Sequence, residues 1–169
     1  PCFVRWPGQF KAGTVLNGIF SHQDWLATFL AAAGVPDVKE KLLKGYKAGK
    51  KTYKVHLDGF NMLPYLKGEV GDSPRNSFFY ISDDGDIIAI RMQDWKVVLM
   101  EQRARQLACW MEPFVKLRIP KIFHLRRDPF ERADENSNTY YDWMISHAYI
   151  MYLMQGVVAS QIENFVKFP

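Results

Sequence analysis

Apolar and polar positions change rhythm along this chain. At the start, "CFVRW" over residues 2–6 reads as a short strand, closed by the turn pair Pro7-Gly8. The rhythm then becomes helical in "SHQDWLATFLAAAG", where Trp25, Leu26, Phe29, Leu30 and Ala33 fall on one face. Ser21 with Asp24 three residues on forms a capping-box pattern, in which each side chain satisfies a free backbone N–H of the other. Gly34 suits the left-handed position after a helix, and Pro36 blocks continuation. The spacing predicts a helix over 22–33. Residues 35–55, rich in lysine and glycine, read as a solvated loop with some helical character at "VKEKLL". "FNMLPYLK" at 60–67 predicts a short helix ended by Gly68, and "GEVGDSPRN" a further loop.

From there the period is two. "NSFFYIS" and "DIIAIRM" are rich in aromatic and β-branched residues and flank Asp-Asp-Gly. "WKVVLME" is a third run, with Trp95, Val97 and Leu99 on one face, and "KIFHL" at 121–125 a fourth. Residues 102–120 between them form a loop of about twenty residues, longer than ordinary connections. Asp128-Pro129-Phe130-Glu131 signals a helix start, with Asp128 as cap and Pro129 in the first turn. A long helix from about Thr139 to Phe165 follows. The class is α+β, a small antiparallel four-stranded sheet with packed helices.

Composition narrows this picture only slightly. The chain's 169 residues suffice for one sizeable core. The net charge of +4 is mild and the positive residues are scattered, as in "KEKLLKGYKAGKKTYK". No basic stripe carries interleaved aromatics, so the reading is a solvated basic face with no nucleic-acid partner. Cys2 and Cys109 are too few for a disulfide framework, have no metal spacing, and leave the compartment open. No secretory signal is read at the start, and "PCFVRWPG" looks like the interior of a longer chain. Residues 143–162 hold no Asp, Glu, Lys or Arg and are long enough to cross a bilayer. They also hold Ser146, His147, Gln155, Ser160 and Gln161, with Gly156 between, which makes a poor span. The expectation is a mostly buried helix packed against a sheet.

Candidate chemistry is sparse. Ser82-Asp83-Asp84-Gly85-Asp86 crowds three carboxylates round one glycine. Asp-Gly between two apolar runs is a hairpin signal, and a calcium loop of the EF-hand kind needs flanking helices and a later Glu. The reading is therefore a turn, with Gly85 supplying positive φ. His22, His56, His124 and His147 are far apart, and none has a second ligand three or four residues on. His124 belongs on a sheet face and His147 on an apolar helix. No nucleophile elbow, phosphate loop or zinc helix motif is present.

Taken together, four blocks resemble the sulfatase family, specifically the C-terminal part of the arylsulfatase type. "PCFVRWPG" looks like the strand after that family's Glu-Gly-Gly-x-Arg segment. "FSHQDWLATFLAAAG" looks like its S-x-x-D-x-x-P-T-L-L-x-x-A-G helix, with Ala27 where proline is usual. "HLDGFNMLPYLKGEVGDSPRNSFFY" is similar to its D-G-x-x-L-x-P-x-L-x-G stretch with the following P-R and F-F-Y. "AIRMQDWKVV" and "IFHLRRDPFERAD" look like its A-x-R-x-x-x-W-K and L-Y-x-L-x-x-D-P-x-E pattern. The blocks keep the family's order across nearly the whole chain.

The resemblance implies the C-terminal part of an alkaline-phosphatase-like fold. Residues 1–54 would be the tail end of the large α/β domain, and residues 55–169 a subdomain with the sheet and a long terminal helix. It implies calcium and a formylglycine nucleophile for the intact enzyme, and hydrolysis of sulfate esters. It also implies that this chain binds no calcium and holds no catalytic residue. The formylglycine motif C-x-P-x-R or S-x-P-x-R is missing: Cys2 and Cys109 lack it, and Pro74-Arg75 is flanked by Asp72 and Asn76. The expected partner is the upstream sulfatase domain. The loop 102–112, with Arg103, Arg105 and Trp110, is the candidate to shape a pocket for an anionic aryl sulfate. Phe3, Trp6, Trp25 and Phe29 are expected to form an apolar patch left by that domain. A non-enzymatic interaction module derived from a sulfatase is the alternative.

Overall fold

The computed structural model describes residues 2–168. They divide into two units, one ending at Asn76 and the other beginning at Ser77. The division after residue 54 expected from the resemblance thus falls inside the first unit, because residues 58–75 are bonded back onto the first helix.

That helix, α1 (Asp24–Ala32), begins two residues later than expected. Half of the capping box forms: Asp24 Oδ2 accepts from the Ser21 N–H at 2.8 Å. No side chain caps the helix from before it. The buried face is not the one that apolar spacing selects. Asp24, Ala27, Thr28 and Ala31 are buried, whereas Leu26 and Phe29 are 52% and 62% exposed. Small side chains let residues 58–62 approach closely, and a Cβ at Gly59 would collide with the Gln23 carbonyl oxygen. Residues 2–6, expected as a strand, pair with no strand among the described residues. The backbone turns after Trp6, whose carbonyl accepts from Gln9 and Phe10 at 3.0 Å.

Helix α2 (Val38–Lys44) realises the helical character of "VKEKLL". The rest of the expected loop is a hairpin of β1 (Tyr46–Ala48) and β2 (Lys51–Tyr53), exposed on both faces. It was invisible to periodicity because each strand is only three residues long and neither face is buried. Gly49 at φ 61° makes the two-residue turn feasible. Helix α3 (Leu63–Lys67) starts on Pro64 in its first turn and ends at Gly68 in the left-handed region, as expected.

The second unit is an antiparallel meander of β3 (Ser77–Ile81), β4 (Ile87–Met92), β5 (Trp95–Glu101) and β6 (Val115–His124), in that spatial order. The class is α+β as expected. The "SDDGD" stretch is the β3–β4 turn: Gly85 sits at φ 87° and its N–H bonds the Ser82 carbonyl at 3.0 Å. β6 starts six residues before the expected strand, at Val115, so the loop before it shrinks to 102–114. Pro120 lies within it: β6 is an edge strand with an irregular register opposite Val98–Met100, which tolerates proline.

Helices α4 (Ala133–Asn136), α5 (Tyr140–Ser146) and α6 (Tyr149–Lys167) follow. The start expected at Asp128 is delayed because Glu131 stands at φ 53°, outside helical space. Asp128 still caps, accepting from the Arg132 and Ala133 N–H groups at 3.0 and 2.8 Å. The single long helix expected over 139–165 is broken at His147-Ala148. There His147 leaves helical geometry while its Nδ1 and its N–H both turn to the Trp143 carbonyl, at 2.7 and 3.1 Å. The core joins Ile90, Val97, Ile122, Phe123, Tyr140, Met144, Ile150 and Met154. The segment expected to be mostly buried is half open, with Ile145, Tyr149, Tyr152 and Leu153 exposed. No helix among the described residues is long and apolar enough to cross a membrane.

Candidate functional site

The candidate loop joins β5 to β6 and is built by one side chain. Gln102 Nε2 donates to the Cys109 and Glu112 carbonyls at 3.2 and 2.6 Å, and its Oε1 accepts from the Ala104 N–H at 2.8 Å. This clamp closes a 3₁₀ turn, Gln106–Trp110, entered through Gln106 at φ 55°. The turn's apolar side chains point outward: Leu107, Trp110 and Met111 are 77%, 83% and 77% exposed. The loop is thus shaped internally, without a core of its own.

The two arginines fare differently. Arg103 Nε donates to Glu101 Oε1 at 2.9 Å. Lys121 Nζ donates to the other oxygen of Glu101 and to Asp134 Oδ2, both at 2.7 Å. The Lys121 hydrogen bond holds the Glu101 carboxyl below the usual range against the opposing effect of burial, and Arg103 adds to it. Burial works against the Lys121 charge, but hydrogen bonds to Asp134 and Glu101 outweigh it and raise its pKa. Arg103 is therefore already neutralised. Arg105 and Trp110 stand exposed on the loop, and Arg105 makes no ion pair among the described residues. The loop offers one available cation and one flat aromatic face, which suits contact with an anion but supplies no nucleophile–base pair.

The histidines that look separate in sequence meet on one ring. His124 lies edge-on to Trp95 at 4.7 Å between centroids, and His147 lies 5.6 Å from the same ring while stacking on Trp143 at 4.5 Å. His124 Nδ1 is buried without a hydrogen-bond partner among the described residues. This is an aromatic packing cluster with no carboxylate in it. Beside it, Tyr140 Oη donates to the Ile122 carbonyl and accepts from its N–H, at 3.1 and 3.2 Å. Burial pushes the Tyr140 hydroxyl up to about 12.

Sequence reasoning missed the strongest polar constellation, which lies in the first unit. Asp24, fully buried, receives Arg75 Nε and Nη2 at 2.8 and 2.6 Å and the Phe60 and Ser21 N–H groups at 2.8 Å each. Arg75 Nη2 also donates to the Asp58 carbonyl at 3.1 Å, and the guanidinium lies 4.8 Å over the Phe60 ring. Burial opposes the Asp24 charge, yet the bonds from Arg75, Phe60 and Ser21 outweigh it and hold its carboxyl below the usual range. Every lone pair is spent on structure, so the pair holds residues 58–75 to α1. The signal available was the Asp of "SHQD" and the Arg of "SPRN", but 51 residues separate them.

The same unit carries an open groove of about 650 Å³ lined by Phe3, Trp6, Phe10, Trp25, Phe29 and Leu63, among others. It joins the four residues expected to form an apolar patch. No group of three His, Cys, Asp or Glu able to hold a metal exists among the described residues.

No family model matches the chain, and no curated protein matches it. Among solved structures, the crystal structure of the PsFucS1 sulfatase from Pseudoalteromonas sp. is similar, with a TM-score of 0.59 at 23% identity. The similarity covers 89% of this chain and 28% of that one, so this chain spans little more than a quarter of that neighbour's length. The chain therefore has the fold of a portion of a sulfatase chain.

Proposed function

We propose that this chain is the C-terminal part of a sulfuric ester hydrolase of the arylsulfatase type, whose cutting residues lie upstream of Pro1. The observation that carries this reading is the fold shared with a portion of a sulfatase chain. Four sequence blocks in the family's order support it, as does the open apolar groove round Trp25 and Phe29, a face suited to a large neighbouring domain. The described residues do not fit the calcium site of such enzymes. Under this reading no chemical step is assigned to the described residues.

The direct test is turnover. Incubated with calcium and a chromogenic sulfate, this chain is expected to release nothing, whereas a polypeptide extended upstream through a C-x-P-x-R or S-x-P-x-R motif releases sulfate. Release by the short chain, proportional to protein, would overturn the reading. The alternative, an interaction module without chemistry, would be indicated by a start codon immediately before Pro1 with no such motif upstream.

In the intact enzyme, loop 102–112 contributes to the substrate pocket. Arg105→Ala is expected to raise KM about tenfold, the worth of one hydrogen bond to a charged group. Arg103→Ala is expected to do less, because Glu101 already occupies its guanidinium. KM and kcat unchanged in both variants would remove the loop from the pocket.

A further inference from the structure

The charge of this protein is concentrated to a degree that the total conceals. Residues 39–54 hold seven lysines and one glutamate, a net of +6, while the whole chain carries +4. All other residues together therefore stand at −2. Lys39 lies over the Phe60 ring and Lys41 is paired with Asp37. The other five, Lys44, Lys47, Lys50, Lys51 and Lys54, lie in an unbroken exposed run from Leu43 to Val55; the Lys44 charge acts on Asp37, and none of the other four pairs with a carboxylate among the described residues. Lys47, Lys50 and Lys51 lie on the β1–β2 ribbon, whose two faces are both solvated, and Lys44 and Lys54 flank it.

Such a ribbon is costly. Two strands without a packed face are marginally stable, and the strands here are only three residues long. Five like charges within about 20 Å repel one another, only partly screened at a Debye length of about 8 Å. Nothing within the first unit repays this, since the ribbon buries none of its side chains. A polyanion would repay it, by relieving the repulsion and releasing its own condensed counterions.

We infer that the ribbon is an arm that grips a linear sulfated polysaccharide. The choice of sulfate rests on the hydrolase reading above; the choice of a polymer comes from the ribbon. The register pairs Tyr46 with Tyr53 and Ala48 with Lys51. Residues opposite each other share a face, so two aromatic rings and an ammonium lie on one side of the ribbon. Flat rings suit the C–H faces of pyranose units, and the lysine suits a sulfate carried beside them. All seven cations are Lys and none is Arg. No guanidinium fork is there to pair with base edges, and an ammonium pairs with a sulfate as a point charge. A duplex also needs a basic footprint of about 600 Å² or more, but beyond this segment the 169 residues given are net negative.

The test is binding by the 169-residue protein to sulfated dextran at a series of salt concentrations, against uncharged dextran and single-stranded DNA of matched charge density. Binding to sulfated dextran is expected to weaken with salt at a log–log slope of about −3, for four contacted charges at roughly −0.7 each. Lys47→Gln, Lys50→Gln, Lys51→Gln and Lys54→Gln combined are expected to weaken it at least about tenfold. The same four positions changed to Arg keep it, and Lys116→Gln with Arg118→Gln, on exposed sites of β6, leaves it unchanged. Circular dichroism confirms that each variant folds. Equal binding to uncharged dextran, insensitivity to the four Gln changes, or tighter binding to the DNA would overturn the inference. None of these readouts needs turnover, so loss of the arm and loss of the hydrolase reading are separable: the first appears in binding, the second in sulfate release by the extended polypeptide.

Discussion

Arg75→Met is expected to destabilise the first unit by about 3–5 kcal/mol, the cost of leaving a buried charge without its partner. Asp24 lies at 0% exposure, and its four incoming hydrogen bonds include two from the lost guanidinium. Asp24→Asn keeps the shape but cannot accept from four donors, and is expected to cost a similar amount. The pair also sets a pH dependence. The folded pKa of Asp24 is depressed below its ordinary value, so its contribution is present above the unfolded value of about 3.9. It is lost as pH falls through the folded value. Urea unfolding at neutral pH and at about pH 3 measures both effects, the wild type losing stability on acidification and Arg75→Met losing less. A shift under about 1 kcal/mol in Arg75→Met at neutral pH would mean that the pair is not what holds residues 58–75 to α1.

Ile122→Ala is expected to cost the second unit about 2–5 kcal/mol, the range for emptying a closed apolar site. Ile122 is fully buried on β6, paired with Val97 at the centre of the core cluster. Its backbone faces outward from the sheet's edge, where no further strand supplies partners. The Tyr140 hydroxyl takes that role, bonding both the N–H and the carbonyl. Tyr140→Phe should therefore cost about 1–3 kcal/mol by leaving both groups unsatisfied. The two effects should fall short of additivity when combined, because the residues touch. Differential scanning calorimetry reads each shift, and Ile122→Ala within about 0.5 kcal/mol of wild type would contradict the packing described.

The loop and the ribbon show where local patterns stop being informative. Gln102 carries no periodic signal, yet its two side-chain ends close the loop at 104, 109 and 112. Arg103 and Arg105 look equivalent in "QRARQ"; only the placement of Glu101 and Lys121 makes one neutralised and the other available. The positive residues of 39–54 read as scattered along the chain; only the ribbon's register brings Tyr46, Lys51 and Tyr53 to one face.

The chain's local chemistry alone determined the α+β class, the first three strands of the meander and the turn at Gly85. It also determined the helices ended by Gly34 and Gly68, because turn conformation, capping and period-two or helical spacing act over a few residues. Tertiary structure decided which face of α1 is buried, that Asp24 and Arg75 meet, and that residues 139–165 break at His147. It also decided that β6 begins at Val115. Those outcomes depend on groups brought together from dozens of residues apart, and a buried charge or a close backbone approach outweighs the preference of any single segment.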